Sequence, residues 1–185
     1  SGGKAIINYR QSAGTPLQDG YYYSVGIHPW ELKPGNLKRH SDFVIDHLPD
    51  EHIVAIGECG LDKLKGASIN EQMVALQFEI FMSLEYDLPL ILHNVRMTDK
   101  ILAVKKEFQP KQAWIWHGFR GKPEQAKQML DKGLYLSFGE FYSDEAMRVV
   151  PDDRLFLETD DSELDIEDIL YRAAQVRGVE VETLR

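Results

Sequence analysis

Short apolar runs separated by segments of helical periodicity constrain this chain more than any other feature. Seven runs stand out: KAIINY (4–9), YYYSVGI (21–27), HIVAIGE (52–58), LPLILH (88–93), AWIWHG (113–118), GLYLSFG (133–139) and DRLFLETD (153–160). Most are continuously apolar rather than alternating, as in parallel strands covered on both faces. The segments between them carry helix signals. Ser68 and Glu71 form a capping box for a helix reaching to about Tyr86, with Met73, Leu76, Ile80 and Leu84 near the helical period. A second helix is expected over 97–108, ending before Pro110. Pro123 and Gly133 bound a third, and Asp165 opens a fourth that stops near Gly178. A repeated β/α order leaves an open doubly wound sheet or a barrel. Neither a dinucleotide-binding glycine fingerprint nor a phosphate-loop lysine motif is present. The expected fold is therefore α/β, a (β/α)8 TIM-type barrel with one strand missing. With no repeat, linker or low-complexity tract, 1–185 reads as a single domain.

The balance of 30 acidic against 21 basic residues, a formal charge of -9, argues against a wide basic face for duplex DNA. A phosphate substrate would need a metal or a local basic patch. No apolar stretch is long enough to span a membrane, and the single Cys59 excludes an intramolecular disulfide. A cytoplasmic location is the expectation.

Polar residues fall at equivalent places on the runs. Glu58 ends the third, His93 the fourth, His117 follows the fifth, and Asp160 closes the seventh. C-terminal strand ends of a barrel share one rim, so these four are expected to meet. Carboxylate and imidazole are ligands for Zn²⁺, Mn²⁺ or Mg²⁺, and a carboxylate can bridge two ions that activate water and hold a phosphoryl oxygen. Each residue also has a plainer reading: a hydrogen-bonded histidine, or an aspartate that caps a helix or is merely solvated. Arg96 is either a phosphate clamp or an ordinary loop arginine. His28, before Pro29, either touches substrate or shapes a turn, and Asp62 either orients a ligand or caps the next segment. Trp30 is a rim aromatic able to stack a base. Cys59 reads as buried filler, and His40, His47 and His52 as surface residues on a charged helix or its exit.

Several segments, in one order, resemble the TatD family of metal-dependent deoxyribonucleases within the amidohydrolase-like superfamily. They are YYYSVGIHPW, AIGECGLD, LPLILHNVR, WHGF, LFLETD and YRAAQVRGVEVETL. The resemblance implies a (β/α)8 barrel with one or two divalent ions (Mg, Mn or Zn), hydrolysing DNA phosphodiesters, often from a single-stranded 3′ end. It implies that Glu58 is shared by both ions, that His93 and His117 ligate one ion, and that Asp160 is a ligand and the water-orienting base. Arg96 and His28 would contact the scissile phosphate. The family's initial strand with a His-x-His pair has no counterpart before KAIINYR, and the chain stops soon after VETLR begins. The chain is accordingly expected to be truncated at its N-terminus and at its C-terminus. A monomer or a homodimer covering the gap is expected. Hydrolysis of a small ester, lactone or amide is the alternative chemistry, and a barrel remnant with a binding role the non-enzymatic one.

Overall fold

The computed structural model describes residues 4–12 and 14–185. Its strands are β1 (Ile6–Tyr9), β2 (Tyr22–Val25), β3 (Ile53–Asp62), β4 (Leu90–Val95), β5 (Trp114–Trp116), β6 (Leu134–Phe138) and β7 (Leu155–Leu157). Its helices are α1 (Leu37–His47), α2 (Ile69–Tyr86), α3 (Thr98–Phe108), α4 (Pro123–Asp131), α5 (Asp144–Val149) and α6 (Ile166–Arg177), with 3₁₀ turns at Asp152–Arg154 and Val181–Thr183. All seven expected strands form, and their order in the sheet is the order in the chain. This is the α/β architecture of a (β/α)8 barrel with one strand fewer. No helix among the described residues is long and apolar enough to cross a membrane.

Two compact units divide the chain after Trp114. In the first, β1 to β4 pair in parallel, each with the next. Val25, Ile27, Ala55, Ile56, Leu90 and Leu92 are fully or almost fully buried, packed with Leu76 and Ile80 of α2. Burying such a side chain contributes about 1.5–3 kcal/mol, so this is the main cohesive term of the unit. Helix α2 begins where the sequence says it should. Ser68 Oγ accepts from Glu71 N–H while the Glu71 carboxylate takes the Ser68 N–H, which satisfies two orphan donors of the first turn. It ends at Asp87, in the left-handed conformation. Strand β1 is less covered than a buried parallel strand, since Ile6 and Ile7 are both exposed.

In the second unit, β6 and β7 pair in parallel, and Phe119, Met129, Leu136, Phe138, Met147 and Ala173 are buried. Pro123 occupies the first turn of α4. Asp165 caps α6 by accepting from Glu167 N–H, and Gly178 closes it in the left-handed region. Helix α5 lies where no helix was expected. It is six residues long, too short for a periodic stripe, and Ser143 Oγ caps it by accepting from Ala146 N–H.

Candidate metal centre

Glu58 is not the last residue of its strand. Strand β3 continues four residues further to Asp62, and its pairing with β4 slips at this point, Gly57 facing Ile91 and Cys59 facing Leu92. Glu58 is thus the extra residue of a bulge, a device that re-aims one side chain from the middle of a ladder. The glycines on either side are required by close approach. A Cβ on Gly57 would lie 2.7 Å from the Ile91 Cβ, and one on Gly60 would lie 2.1 Å from the His93 carbonyl oxygen. Both glycines also have positive φ, 155° and 133°.

The bulge brings Glu58 to two histidines. His28, at the exit of β2, sets Nε2 at 3.4 Å from Glu58 Oε2. His93 lies on β4, two residues before the strand ends, with its ring centroid 4.6 Å from that of His28. Glu58, His28 and His93 each present one ligand-type atom, all within 4.8 Å of one another. Asn8 of β1 donates Nδ2–H to Glu58 Oε1 at 3.1 Å. The donor set of carboxylate and imidazole, partly withdrawn from water, fits a divalent ion of the Mg, Mn or Zn kind. Burial lowers the pKa of His93 and prevails over the hydrogen bond to Asp62, which raises it. Both the direction and its cause favour the neutral imidazole, the form that can bind a metal.

Asp62 performs both tasks between which its sequence context left a choice. Its Oδ1 accepts from Leu64 N–H (2.7 Å) and Lys65 N–H (3.0 Å), capping the segment that follows. Its Oδ2 takes the Trp30 indole N–H at 2.7 Å and lies 2.9 Å from His93 Nε2. Burial pushes this carboxyl upward, but the hydrogen bonds from His93, Trp30 and Leu64 outweigh it and hold the pKa below its ordinary value. Trp30 is 43% exposed, edge-on to both histidines, with Lys65 Nζ 3.5 Å from its ring centroid. Further in, the fully buried Glu79 of α2 accepts the Ile27 N–H, which holds the Gly26–Ile27 peptide one residue ahead of His28.

The second unit holds the other two candidates. His117 follows β5 directly, its Nδ1 2.9 Å from Glu158 Oε1 and its Nε2 3.6 Å from Asp160 Oδ2. Asp160 does not close β7, which stops at Leu157. It sits three residues beyond, exposed and with φ of 46°. Glu158 also accepts from Ser137 Oγ of β6. Neither Glu158 nor Asn8 was singled out from the sequence. Glu158 stands two residues before Asp160 in LFLETD, so its position on the same strand exit was the available signal.

Arg96 is exposed, with φ of 55°, and lines a hollow with Met97, Thr98, Asp99 and Lys100 at the start of α3. Cys59 is fully buried, and burial drives its thiol pKa well upward, as filler should behave. All three of the supposed surface histidines have side-chain contacts. His40 is buried beside Asn36 Nδ2, at 3.1 Å, and His47 packs against Tyr9 and Phe43. Helix α1 turns that face inward, which its charged composition concealed. His52 is partly buried and pairs with Asp50 at 2.7 Å.

Residues 7–171 match the family model described as TatD related DNase. An uncharacterized metal-dependent hydrolase, YjjV of Escherichia coli (strain K12), is 30% identical over 64% of this chain and 46% of its own length. YabD of Bacillus subtilis (strain 168), of the same description, is 34% identical over 77% of the chain and 59% of its own. The 3'-5' ssDNA/RNA exonuclease TatD of Pantoea ananatis is 31% identical over 77% and 58%. The chain therefore matches about half to three-fifths of the length of these relatives. Among solved structures, E. coli YjjV superposes with a TM-score of 0.79 at 23% identity, over 98% of this chain and 82% of that one. A hydrolase TatD family protein from Entamoeba histolytica gives 0.73 at 19%, over 89% and 72%. At such identities the likeness is one of fold.

Proposed function

Because the chain belongs to the TatD related DNase family, we propose that it carries a metal-dependent hydrolase site acting on DNA phosphodiesters, at single-stranded 3′ ends. The observation that carries this reading is the bulge that turns Glu58 out of β3 toward His28 and His93. The Pantoea relative, a 3'-5' ssDNA/RNA exonuclease, supports the substrate class. The reading treats 1–185 as one functional domain working in the cytoplasm, as a monomer or homodimer.

Glu58 and His93 in the first unit would be ligands of a divalent ion, and His117 and Asp160 are the ligand candidates of the second. A bound ion of this kind supplies Lewis-acid polarisation of a phosphoryl oxygen and a more acidic water. The rest falls to the chain. Asp160, exposed beside His117, orients the attacking water and takes its proton. His28 and Arg96 would contact the scissile phosphate. Trp30 offers an aromatic surface next to the histidines for the neighbouring base.

The test is nucleotide release from a single-stranded oligonucleotide in Mn²⁺ or Mg²⁺, with Glu58→Ala prepared identically. Release that EDTA and the substitution both abolish is expected. Folded, Mn²⁺-bound protein that releases no nucleotide but turns over a small ester would replace the nuclease reading with the alternative hydrolase.

A further inference from the structure

His93 and His117 each have one carboxylate within hydrogen-bond distance of a ring nitrogen, and the two carboxylates use opposite nitrogens, while Asp160 Oδ2 stands farther off, 3.6 Å from His117 Nε2. Asp62 Oδ2 faces His93 Nε2, whereas Glu158 Oε1 faces His117 Nδ1. A carboxylate that already receives other donors is an acceptor toward the ring, so the nitrogen it faces must carry the proton. Asp62 takes the Trp30 indole N–H and the Leu64 and Lys65 backbone N–H groups. Glu158 takes the Ser137 hydroxyl. We propose that Asp62 and Glu158 are positioning residues that fix the two imidazoles in opposite tautomers, leaving Nδ1 of His93 and Nε2 of His117 as the atoms able to bind a metal. The proposal rests on the metal-site reading above for its purpose, though not for its test.

His28 obeys the same logic with a different outcome. The Trp30 backbone N–H donates to its Nδ1 at 3.1 Å, so the ring proton sits at Nε2, which faces Glu58. His28 is then a hydrogen-bond donor within the cluster and not a third ligand. Trp30 acts on both rings, on His28 through its backbone and on His93 through its indole N–H to Asp62.

The partners of the two carboxylates make isosteric amides behave differently. Asp62→Asn must turn its NH₂ either toward the Leu64 and Lys65 N–H groups or toward His93 and Trp30. Facing the loop the NH₂ would meet two fixed donors, and facing the rings only one, the Trp30 indole N–H, beside an imidazole that can move its proton; the NH₂ therefore turns to His93, gives up the indole bond and drives the proton to Nδ1. The coordinating lone pair is lost. Glu158→Gln meets no such conflict, because the Ser137 hydroxyl can rotate to accept from the NH₂ while the amide oxygen keeps His117 Nδ1–H.

The experiment reads nitrogen-15 shifts of the histidine rings in the metal-free protein at neutral pH, and Mn²⁺ affinity by titration with the metal alone. In the wild type His93 should be protonated at Nε2 and His117 at Nδ1. Asp62→Asn should move the His93 proton and weaken Mn²⁺ binding by about 10- to 100-fold, the usual scale for losing a group that orients a metal ligand. Glu158→Gln should leave the His117 tautomer in place and Mn²⁺ affinity within about threefold, whereas Glu158→Leu should lose both. A wild-type His93 protonated at Nδ1 overturns the proposal whatever the variants do. So does an Asp62→Asn protein with the native tautomer and native affinity. Should Asp62→Asn fail to fold, the wild-type spectrum and the Glu158 pair still decide. Since the tautomers are read without metal or DNA, absence of nuclease turnover would count against the proposed function alone.

Discussion

Asn8 of β1 holds Glu58 Oε1 by a 3.1 Å hydrogen bond from its side-chain amide, a contact between residues 50 positions apart. It occupies one carboxylate oxygen while the other faces His28. Asn8→Ala should destabilise the metal-free protein by about 1.5 kcal/mol, the scale for a hydrogen bond to a charged group, as read by urea unfolding. Asn8→Asp should be worse, since it sets a second carboxylate against Glu58. Saturating Mn²⁺ should recover part of that loss, and a melt in which Mn²⁺ has no differential effect would dissociate Asn8 from the metal site.

Glu79 gives a pH dependence with a definite sign. It is fully buried, and burial raises its pKa well above 4.5, with the hydrogen bond from Ile27 N–H opposing the rise only in part. The folded state therefore keeps a proton that the unfolded chain releases above about 4.5. Stability from this group is complete below that value and is lost as the pH rises toward the elevated folded value. Glu79→Gln cannot titrate, so its unfolding free energy should fall less steeply between acid and neutral pH than that of the wild type. Parallel curves would show that Glu79 is ionised in the fold.

Gly60 tests the closeness of β3 and β4 behind the site. Its would-be Cβ meets the His93 carbonyl at 2.1 Å, so Gly60→Ala must push the strands apart at His93. A loss of about 3 kcal/mol is expected from overpacking, with weaker Mn²⁺ binding. Gly35→Ala is the control, because Gly35 has positive φ but no atom within 4 Å of the added carbon. It should cost only about 1 kcal/mol for the left-handed backbone, and Mn²⁺ affinity should not change.

Cys59 should resist thiol reagents in the native state. It is wholly buried and its thiol is driven upward by burial, with Glu79 and Glu58 adding to the effect. The thiolate that reacts is therefore scarce as well as inaccessible. Labelling should follow global unfolding in denaturant. Rapid labelling of folded protein would mean that β3 opens locally next to Glu58.

The sequence by itself determined the order of elements and most of their ends. Periodicity, capping and glycine stops act between residues a few positions apart. The Ser68 and Glu71 box, Pro123 in the first turn of α4 and the Asp165 and Gly178 limits of α6 therefore stand where local chemistry puts them. The ligand-type residues at successive strands were legible for the same reason, since β/α alternation fixes which end of each run is which. The tertiary structure alone decided what those residues touch. Glu58 sits on a bulge in mid-strand because β3 and β4 slip register, and no local pattern encodes a slip between strands more than 30 residues apart. The Asp62 hold on His93, the Asn8 hold on Glu58, the Glu158 hold on His117 and the burial of His40 likewise depend on which side chains packing brings within hydrogen-bond reach. Hydrogen bonds are short-ranged and directional, so strand register and helix rotation select their partners, and both are settled only when the whole sheet is assembled.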